Sequence, residues 1–257
     1  MSEPKLKLCV PEPQQSWSGT QLDAITPCLE RLSASERVQW ALDYLPGQPV
    51  LTSSFGAQSV VTLHLVTSLQ PDIPVVLIDT GYLFPETYAY IDELKERLSL
   101  NLQIFRAKMS PAWQEVRFGR LWEQGVDGIE RYNHINKVEP MARALEVTGA
   151  GAWFSGLRRN QSGSRRDIDI VQPHKGSVIK VHPLADWTSR DIHAYMKTHD
   201  LPGHPLQDQG YVSIGDHHTS QPLGVLENEE ESRFFGLVRE CGIHQPERFK
   251  LPDPANE

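Results

Sequence analysis

The sequence predicts an α/β fold with a doubly wound, mostly parallel β-sheet and flanking helices. Residues 49–52 have the aliphatic and β-branched character of a short buried strand, and the apolar residues after Gly56 recur at the helical period. Residues 73–78 are apolar throughout, as a central parallel strand requires because helices cover both of its faces. A helix over residues 85–98 leads to a third strand at residues 102–105. Together these stretches give a β-α-β-α-β pattern.

Length and composition predict one domain with appendages. The chain has 257 residues, of which 39% are hydrophobic, and this is enough to bury a full core. We predict a loose N-terminal segment at residues 1–19 and a single α/β domain at residues 20–226. Residues 227–257 are predicted to form a C-terminal helix and a mobile tail.

The charge balance limits the partners. The formal net charge is −8, which argues against a nucleic acid or an anionic membrane, so an anionic substrate must meet a local basic cluster. No stretch approaches the roughly 20 apolar residues of a membrane span, and the N-terminus has no apolar signal core. We therefore expect a cytoplasmic enzyme.

Two helices are predicted before the first strand, over residues 20–45. The pattern breaks at residues 33–36, where Ser33 and Glu36 are spaced to cap a new helix. We expect these helices to pack beside the sheet or against another subunit.

The turn after the first strand is rich in hydroxyl groups. Thr52, Ser53, Ser54 and Ser59 surround Gly56, so side-chain and backbone donors can close around an anion at the positive end of the following helix. The alternative is that these hydroxyls only cap that helix.

Asp79 follows the second strand, in the sequence Asp79-Thr80-Gly81. Open α/β sheets bind ligands at the carboxyl ends of their strands, where this carboxylate can accept from a ribose hydroxyl or coordinate a metal. The alternative is a turn-capping aspartate before the helix that begins near Pro85. We favour the ligand role.

Residues 110–125 and 137–147 are predicted to be helical. The apolar residues of the first segment are predicted to be helical core: Trp113, Val116, Phe118, Leu121 and Trp122. Lys137 is expected just before the N-terminus of the second helix, where the helix dipole gives no reason for a cation. It is either an anion contact or a solvated surface lysine.

A basic loop follows a predicted strand at residues 152–155. It holds Arg158, Arg159, Arg165 and Arg166, with glycine and serine between them. Arginine presents a forked set of donors that suits phosphate, and the loop follows a strand end. We prefer a phosphate-binding role over the alternative, an exposed loop neutralised by Asp167 and Asp169.

The remainder predicts a strand at residues 178–181 and a helix with the capping pair Thr188 and Asp191. The adjacent His217 and His218 are predicted not to bind metal, because neighbouring residues do not both face one ion from regular structure. A last helix is predicted from residue 227 and includes Phe234, Phe235 and Leu237.

The chain has three cysteines, Cys9, Cys28 and Cys241, whose spacing indicates neither a disulfide framework nor a zinc site. Cys241 lies near Arg239 and His244, and basic neighbours favour the nucleophilic thiolate. Glu240 opposes that effect, so an inert thiol is the alternative.

Five motifs, in this order along the chain, closely resemble the assimilatory 3′-phosphoadenylyl sulfate (PAPS) reductases, and the resemblance runs from about Ala34 to His244. The motifs are Ser53-Ser54-Phe55-Gly56, residues 78–87, Lys137-Val138-Glu139-Pro140-Met141, Gly156-Leu157-Arg158-Arg159 with Gln161-Ser162, and Glu240-Cys241-Gly242-Ile243-His244.

This resemblance implies an adenine nucleotide alpha hydrolase-like fold with a modified phosphate loop. It also implies reduction of PAPS to sulfite and adenosine 3′,5′-bisphosphate in sulfate assimilation, with thioredoxin or glutaredoxin as electron donor and a homodimeric assembly. Cys241 matches the family nucleophile, and Cys241 and His244 are the predicted catalytic residues. A cysteine S-sulfonate is the expected intermediate.

The site that the resemblance implies contains no metal and twelve substrate-binding residues. They are Ser53, Ser54, Phe55, Gly56, Ser59, Asp79, Thr80, Gly81, Lys137, Arg158, Arg165 and Arg233. Which residue reads the 3′-phosphate stays open among Arg31, Arg37, Arg159 and Arg166.

Related adenylyl sulfate (APS) reductases carry a four-iron cluster on two cysteine pairs. The corresponding places here hold Tyr132-Asn133 and residues 216–219, so no cluster is expected and the substrate is expected to carry the 3′-phosphate.

Three alternatives stay open. An ATP-pyrophosphatase-type enzyme would need ATP and magnesium, but the loop lacks that class's glycine pair and lysine. A non-catalytic nucleotide-binding module would not need Cys241. Cys9 or Cys28 is a further candidate, as a resolving thiol for Cys241.

Overall fold

The fold is described from a computed structural model, which describes residues 16–223, 234–237 and 242–243. Three predicted site residues, Arg233, Cys241 and His244, lie outside the described residues. So do residues 1–15 of the predicted N-terminal segment and most of the predicted C-terminal helix and tail.

Among the described residues, six strands form one sheet in the order β3-β2-β1-β4-β6-β5. Every neighbouring pair is parallel except β5 and β6. The prediction of a mostly parallel sheet is confirmed. The strands are β1 (Gln48–Thr52), β2 (Pro74–Ile78), β3 (Asn101–Phe105), β4 (Ala150–Phe154), β5 (Val171–Pro173) and β6 (Ile179–Val181). The sequence analysis missed β5, which is three residues long and ends in Pro173.

Helices cover both faces of this sheet. They are α1 (Gly19–Leu29), α2 (Ala34–Tyr44), α3 (Ser59–Leu69), α4 (Pro85–Arg97), α5 (Pro111–Phe118), α6 (Gly125–Asn133), α7 (Glu139–Val147) and α8 (Ser189–Thr198). Residues of α1–α4 and α8 share one hydrophobic core with Leu51 and Val75, whereas α7 packs in a separate core with Val50 and Val76. Neighbouring strand residues thus face opposite layers, as the two-residue period of a strand requires. The sheet is doubly wound.

Between β1 and β4, the helices that connect the strands move from one face of the sheet to the other. The crossovers from β1 to β2 and from β2 to β3 run through α3 and α4, which pack on one face, and the return to β4 runs through α7 on the other. In the sheet, β2 and β3 lie on one side of β1 and β4, and β6 and β5 lie on the other. The connections that follow β1 and β4 therefore run in opposite directions, and a crevice opens between them. This crevice is where a doubly wound sheet binds its ligand.

The two helices before β1 pack within their own chain. Leu22 and Leu29 of α1 and Val38 and Trp40 of α2 are buried in the main core. Of the two expectations for these helices, packing beside the sheet is confirmed, and packing against another subunit stays a prediction. The predicted caps are confirmed, because Ser33 accepts from the N–H of Glu36 and Thr188 from that of Asp191.

Two helical predictions need correction. Trp113 is 60% exposed and Val116 is 87% exposed, so they are not core, although Leu121 and Trp122 are buried. The reason is that α5 turns its polar Gln114 inward, where Gln114 and Asn136 exchange two side-chain hydrogen bonds of 2.9 Å.

Lys137 lies two residues before α7, as predicted, but not at a free helix N-terminus. It lies in a π-helical turn, His134–Val138, that joins α6 to α7 without leaving helical geometry. Pro140 at the start of α7 has no N–H to donate, and a wider turn accommodates that missing bond. π-helical turns are often found at functional sites.

Candidate active site

A cavity of about 290 Å³ opens at the carboxyl ends of β1, β2 and β4. Its wall includes the turn after β1, the segment after β4 and residues 212–216. The predicted residues on this wall are Ser53, Ser54, Gly56, Ser59, Thr80, Lys137, Arg158 and Arg165. Motifs that are far apart in the sequence therefore meet at one crevice.

The turn after β1 keeps its hydroxyl groups near the start of α3 without using them as caps. Among the described residues, no side chain caps the N-terminus of α3; the Ser59 hydroxyl instead donates to the Gly56 carbonyl at 2.8 Å. The capping alternative is therefore wrong for this helix. Its positive end faces the cavity and favours an anion there.

Phe55 lies off the cavity wall. Its backbone φ is +51° and its ring is fully buried in the main core. The Phe55 N–H donates to Ser53 Oγ at 3.1 Å. Phe55 thus fixes the shape of the turn from behind, and the structure places no Phe55 side-chain atom where it would line the cavity.

Lys137 is buried, with 6% of its surface exposed, so it is not a solvated surface lysine. Its Nζ lies 2.6 Å from Asp216 Oδ2, and Thr80 Oγ1 donates to Asp216 Oδ1 at 2.5 Å. The Nζ atom also lies 5.2 Å from the Tyr132 ring centroid and 4.9 Å from that of Phe234. Sequence analysis missed Asp216, because only the fold brings residues 80, 137 and 216 together.

Asp79 and Gly81 lie beside the cavity rather than on its wall. The Asp79 carboxylate accepts from the Tyr88 hydroxyl at 2.7 Å, from the Gly81 N–H at 2.9 Å and from Arg106 Nε at 2.7 Å. Burial, followed by the hydrogen bond to Asp79, raises the pKa of Tyr88 above its ordinary value. The carboxylate therefore organises its own turn, as the alternative in the sequence analysis describes.

The basic loop divides its arginines between two environments. Arg158 is buried on the cavity wall, contacts the Gln58 side-chain carbonyl and donates to the Trp187 carbonyl at 3.3 Å. Arg165 donates to Gln161 Oε1 at 2.5 Å. Burial, followed by the neighbouring Arg165 charge, lowers the pKa of Arg158.

Two candidates for the 3′-phosphate have structural partners instead. Arg159 pairs with Glu30 and donates to the Ile168 carbonyl, and Arg37 makes a bidentate contact with Asp186 at 2.6 and 2.9 Å. Both hold segments of the chain together. Arg31 and Arg166 are exposed, so the description of an exposed loop fits only Arg166 within the basic cluster.

Ser155 lines the cavity and forms a hydrogen-bonded pair with His182, which lies off the wall. Ser155 Oγ lies 2.8 Å from His182 Nδ1, and His182 Nε2 lies 3.4 Å from Gln172 Oε1. Burial, followed by nearby positive charges, lowers the pKa of His182 to about 3, so the ring is neutral. Sequence analysis missed this pair as well, and no motif marks it.

An aromatic cluster, formed by Tyr82, Trp122, Tyr132 and His218, occupies the region beside Lys137. The His218 ring lies 3.8 Å from Trp122, 4.8 Å from Tyr82 and 5.3 Å from Tyr132, between ring centroids. Tyr132 and His218 belong to the two places where APS reductases carry their cysteine pairs. In this chain, an edge-to-face contact between the Tyr132 and His218 rings joins those two places.

Parts of the C-terminal segment reach this site. Phe234 is fully buried, its N–H donates to the Thr219 carbonyl at 2.9 Å, and Phe234–Gly236 forms a 3₁₀ turn rather than α-helix. Ile243 lines the cavity and packs against the core that contains α7. Gly242 has a φ of +83°, and a Cβ there would lie 3.2 Å from Val138. The residues that directly precede and follow each of these two segments lie outside the described residues.

Cys28 is disulfide-bonded. The spacing of the cysteines did not indicate this bond, because tertiary contact decides the pairing. Within the described ranges, no cluster of three or more His, Cys, Asp or Glu side chains is arranged to hold a metal ion. None of the helices described here is both long and apolar enough to cross a membrane.

Comparison with known proteins identifies a family. The family model described as the phosphoadenosine phosphosulfate reductase domain matches residues 48–222. A phosphoadenosine 5′-phosphosulfate reductase of Alkalilimnicola ehrlichii is 61% identical over 90% of this chain and 94% of its own length. The Serratia proteamaculans protein of the same name is 58% identical, with the same coverage of both chains.

Solved structures agree on the fold. The PAPS reductase of Candida auris, in a phosphate complex, has a TM-score of 0.70 and 29% identity, over 80% of this chain and 98% of that one. The FMN adenylyltransferase of Candida glabrata has a TM-score of 0.57 at 16% identity, over 98% of this chain and 85% of that one, and it shows the fold alone. The adenine nucleotide alpha hydrolase-like fold is confirmed.

Proposed function

The chain belongs to the phosphoadenosine phosphosulfate reductase family and is an enzyme that reduces PAPS, and we propose that it does so through an S-sulfonate on Cys241. The observation that carries the proposal is the meeting of the β1 turn, Lys137 and Arg158 at one cavity. Cationic and N–H groups converge there in a chain of net charge −8. Such a cluster suits a phosphosulfate group.

In the proposed complex, PAPS lies across the strand ends. Residues 53–59 and the positive end of α3 contact the phosphosulfate, and Lys137, Arg158 and Arg165 supply counter-charge. The Asp79-Thr80-Gly81 segment lies near the adenosine, with Thr80 on the cavity wall. Phe55 supports the phosphate-binding turn from the core. Arg233 and His244, outside the described residues, stay predicted contacts.

The first chemical step is attack of the Cys241 thiolate on the sulfur of PAPS. A sulfur–sulfur bond forms while the bond from that sulfur to the 5′-phosphate oxygen breaks, and the bonding electron pair leaves with the phosphate. The products are enzyme S-sulfonate and adenosine 3′,5′-bisphosphate. Because the leaving group is a stable anion, the protein must mainly neutralise charge and align the thiolate.

The second step needs an external dithiol, which we propose is reduced thioredoxin or glutaredoxin. One thiolate attacks Cys241 Sγ, and sulfite leaves with the electrons of the sulfur–sulfur bond. The second thiol resolves the mixed disulfide, so the dithiol is oxidised and Cys241 returns as a thiol. For this step the tail must expose Cys241.

No metal cluster takes part in this route. A four-iron cluster is held by four cysteine thiolates, and the chain has only three cysteines. We place the reaction in the cytoplasm, where thioredoxin is kept reduced. A homodimer is proposed from the family resemblance.

Intact-protein mass spectrometry tests the route. Reduced protein is mixed with PAPS or, separately, with APS, and thioredoxin is omitted. We expect a sulfonate adduct with PAPS, located on Cys241, that is released as sulfite by reduced thioredoxin. The Cys241→Ser variant should form no adduct, whereas Cys9→Ser and Cys28→Ser should form it normally.

The outcomes separate the alternatives. An adduct with APS alone would show that the inferred substrate specificity is wrong. A missing adduct with both nucleotides would refute the S-sulfonate route. Loss of thioredoxin-dependent release in the Cys9 or Cys28 variant would identify a resolving thiol.

A further inference from the structure

We propose that Asp216 is a built-in competitor of the substrate anion for Lys137, and that it sets how tightly the site holds PAPS and its nucleotide product. The inference rests on the proposed position of the phosphosulfate at Lys137. Asp216 is buried, with 1% of its surface exposed, and yet it lines the same cavity as Lys137, Arg158 and Arg165. A carboxylate in an anion site needs an explanation.

The carboxylate is held firmly in place. Thr80 Oγ1 donates to its Oδ1 at 2.5 Å, and Lys137 Nζ lies 2.6 Å from its Oδ2. Asp216 also forms an isolated antiparallel bridge with Leu83, and its carbonyl accepts from the Thr219 N–H at 3.1 Å. Backbone and side-chain contacts thus fix the negative charge independently of any ligand.

The ammonium group of Lys137 is enclosed on several sides. The Tyr132 and Phe234 ring centroids lie 5.2 and 4.9 Å from Nζ, and Asp216 occupies a third direction. An ammonium has three N–H donors, so it can bind an anion while it remains paired with Asp216. The cavity, which Lys137 lines, is therefore the direction from which an anion reaches the group.

The pair adds almost no net charge to the cavity. Lys137 and Asp216 cancel each other, so an arriving anion is attracted by the ammonium and repelled by a carboxylate at almost the same distance. Arg158 and Arg165 are the other cationic side chains that line the described wall. Asp216 thus weakens the hold of the site on every ligand with an anionic 5′ group.

Weaker binding has a functional use. The nucleotide product keeps its 5′-phosphate, so it would remain on an uncompensated Lys137 after the sulfonate has been transferred. Because product release commonly limits turnover, a fixed carboxylate that reclaims the ammonium speeds the exchange of product for substrate.

The test is equilibrium binding by calorimetry in the full-length Cys241→Ser background, in which PAPS is not consumed. We expect Asp216→Asn, which keeps the shape and loses the charge, to bind PAPS and adenosine 3′,5′-bisphosphate about tenfold more tightly. Adenosine 3′-phosphate has no 5′ anion, and its affinity should change less than about twofold.

A double-mutant cycle with Lys137 separates competition from positioning. If Asp216 competes with the ligand for Lys137, Asp216→Asn should tighten PAPS binding about tenfold in the Cys241→Ser background and change it less than about twofold when Lys137→Met is also present, because no ammonium is left to compete for. Equal tightening in both backgrounds would mean that Asp216 acts without Lys137 and would overturn the inference. If Asp216 only orients Lys137, Asp216→Asn should weaken PAPS binding when Lys137 is present and have no effect in the Lys137→Met background. If one of the single variants folds poorly, the comparison in the other background still tests the inference.

Glu115→Gln is the matched control. Glu115 is a carboxylate beside the same aromatic cluster, where it accepts from Tyr82 at 2.7 Å, but it lies off the cavity wall. Its neutralisation should leave PAPS affinity unchanged. Unchanged or weaker PAPS binding by Asp216→Asn would overturn the inference. Failure of the proposed function would appear elsewhere, as a missing Cys241 adduct in the wild-type protein.

Discussion

Two buried aspartates near the strand ends have similar partners and different surroundings. Asp79 and Asp216 are 4% and 1% exposed, and each carboxylate accepts from a hydroxyl and pairs with a cation. The side chain of Arg106, which pairs with Asp79, is 65% exposed, whereas that of Lys137 is 8% exposed and lies on the cavity wall. A carboxylate at a strand end is thus not enough to mark a ligand site. The two aspartates differ in whether the cation that pairs with the carboxylate lies on the cavity wall.

The largest expected difference is in stability. Asp216→Ala leaves the buried Lys137 ammonium without its carboxylate, which we expect to cost about 3–5 kcal/mol of the free energy of unfolding. Asp79→Ala leaves an Arg106 that water can solvate, so we expect a loss of about 1–2 kcal/mol from the broken hydrogen bonds. Urea unfolding of both variants measures the difference, and equal losses would remove the distinction between the two pairs.

Activity should separate the two cations. We expect Lys137→Met to lower kcat/KM for PAPS by about 100-fold, because a charge-assisted contact to the phosphosulfate is lost. Arg106→Met should change kcat/KM by less than about threefold, since Arg106 lies off the cavity wall. Sulfite release with reduced thioredoxin is the assay, after circular dichroism has confirmed folding. A comparable loss in Arg106→Met would place the ligand nearer Asp79 than we propose.

A smaller effect, on the pH dependence of stability, should distinguish these charged pairs from the neutral pair of Ser155 and His182. Burial lowers the pKa of His182 from its ordinary value of 6.5 to about 3, so below pH 6.5 the unfolded chain binds a proton that the folded protein does not. Stability is therefore lost as the pH falls from 6.5 towards 3, by up to about 1.4 kcal/mol per pH unit.

His182→Asn removes this proton linkage and keeps a polar group near Ser155. We expect a flatter loss of stability in this variant between pH 6 and pH 5, measured by urea unfolding at each pH. An unchanged slope would mean that another group causes the acid sensitivity. Glu115→Gln is again a suitable control, because it leaves His182 and its partners untouched.

Much of the fold could be predicted from periodicity. The continuous apolar run of β2 and the capping pairs at Ser33 and Thr188 depend on neighbouring residues, so local chemistry reveals them. The exposed Trp113 could not be predicted in the same way, because an inward-facing Gln114 finds its amide partner on a different segment. Burial of a polar residue depends on a partner that no local pattern names.

The sequence by itself determined the family and the residue types that reach the crevice. It also determined the order along the chain of the strands and helices on either side of the crevice. The reason is that motifs and apolar periods are properties of consecutive residues. Tertiary structure alone decided which charged groups share the cavity. Arg158 and Arg159 are neighbours in the chain, yet one lines the cavity and the other pairs with Glu30. Lys137 and Asp216 are far apart in the chain, yet Lys137 Nζ lies 2.6 Å from Asp216 Oδ2 in the fold. The physical reason is that a buried charge must find its counter-charge in space, whatever its distance along the sequence.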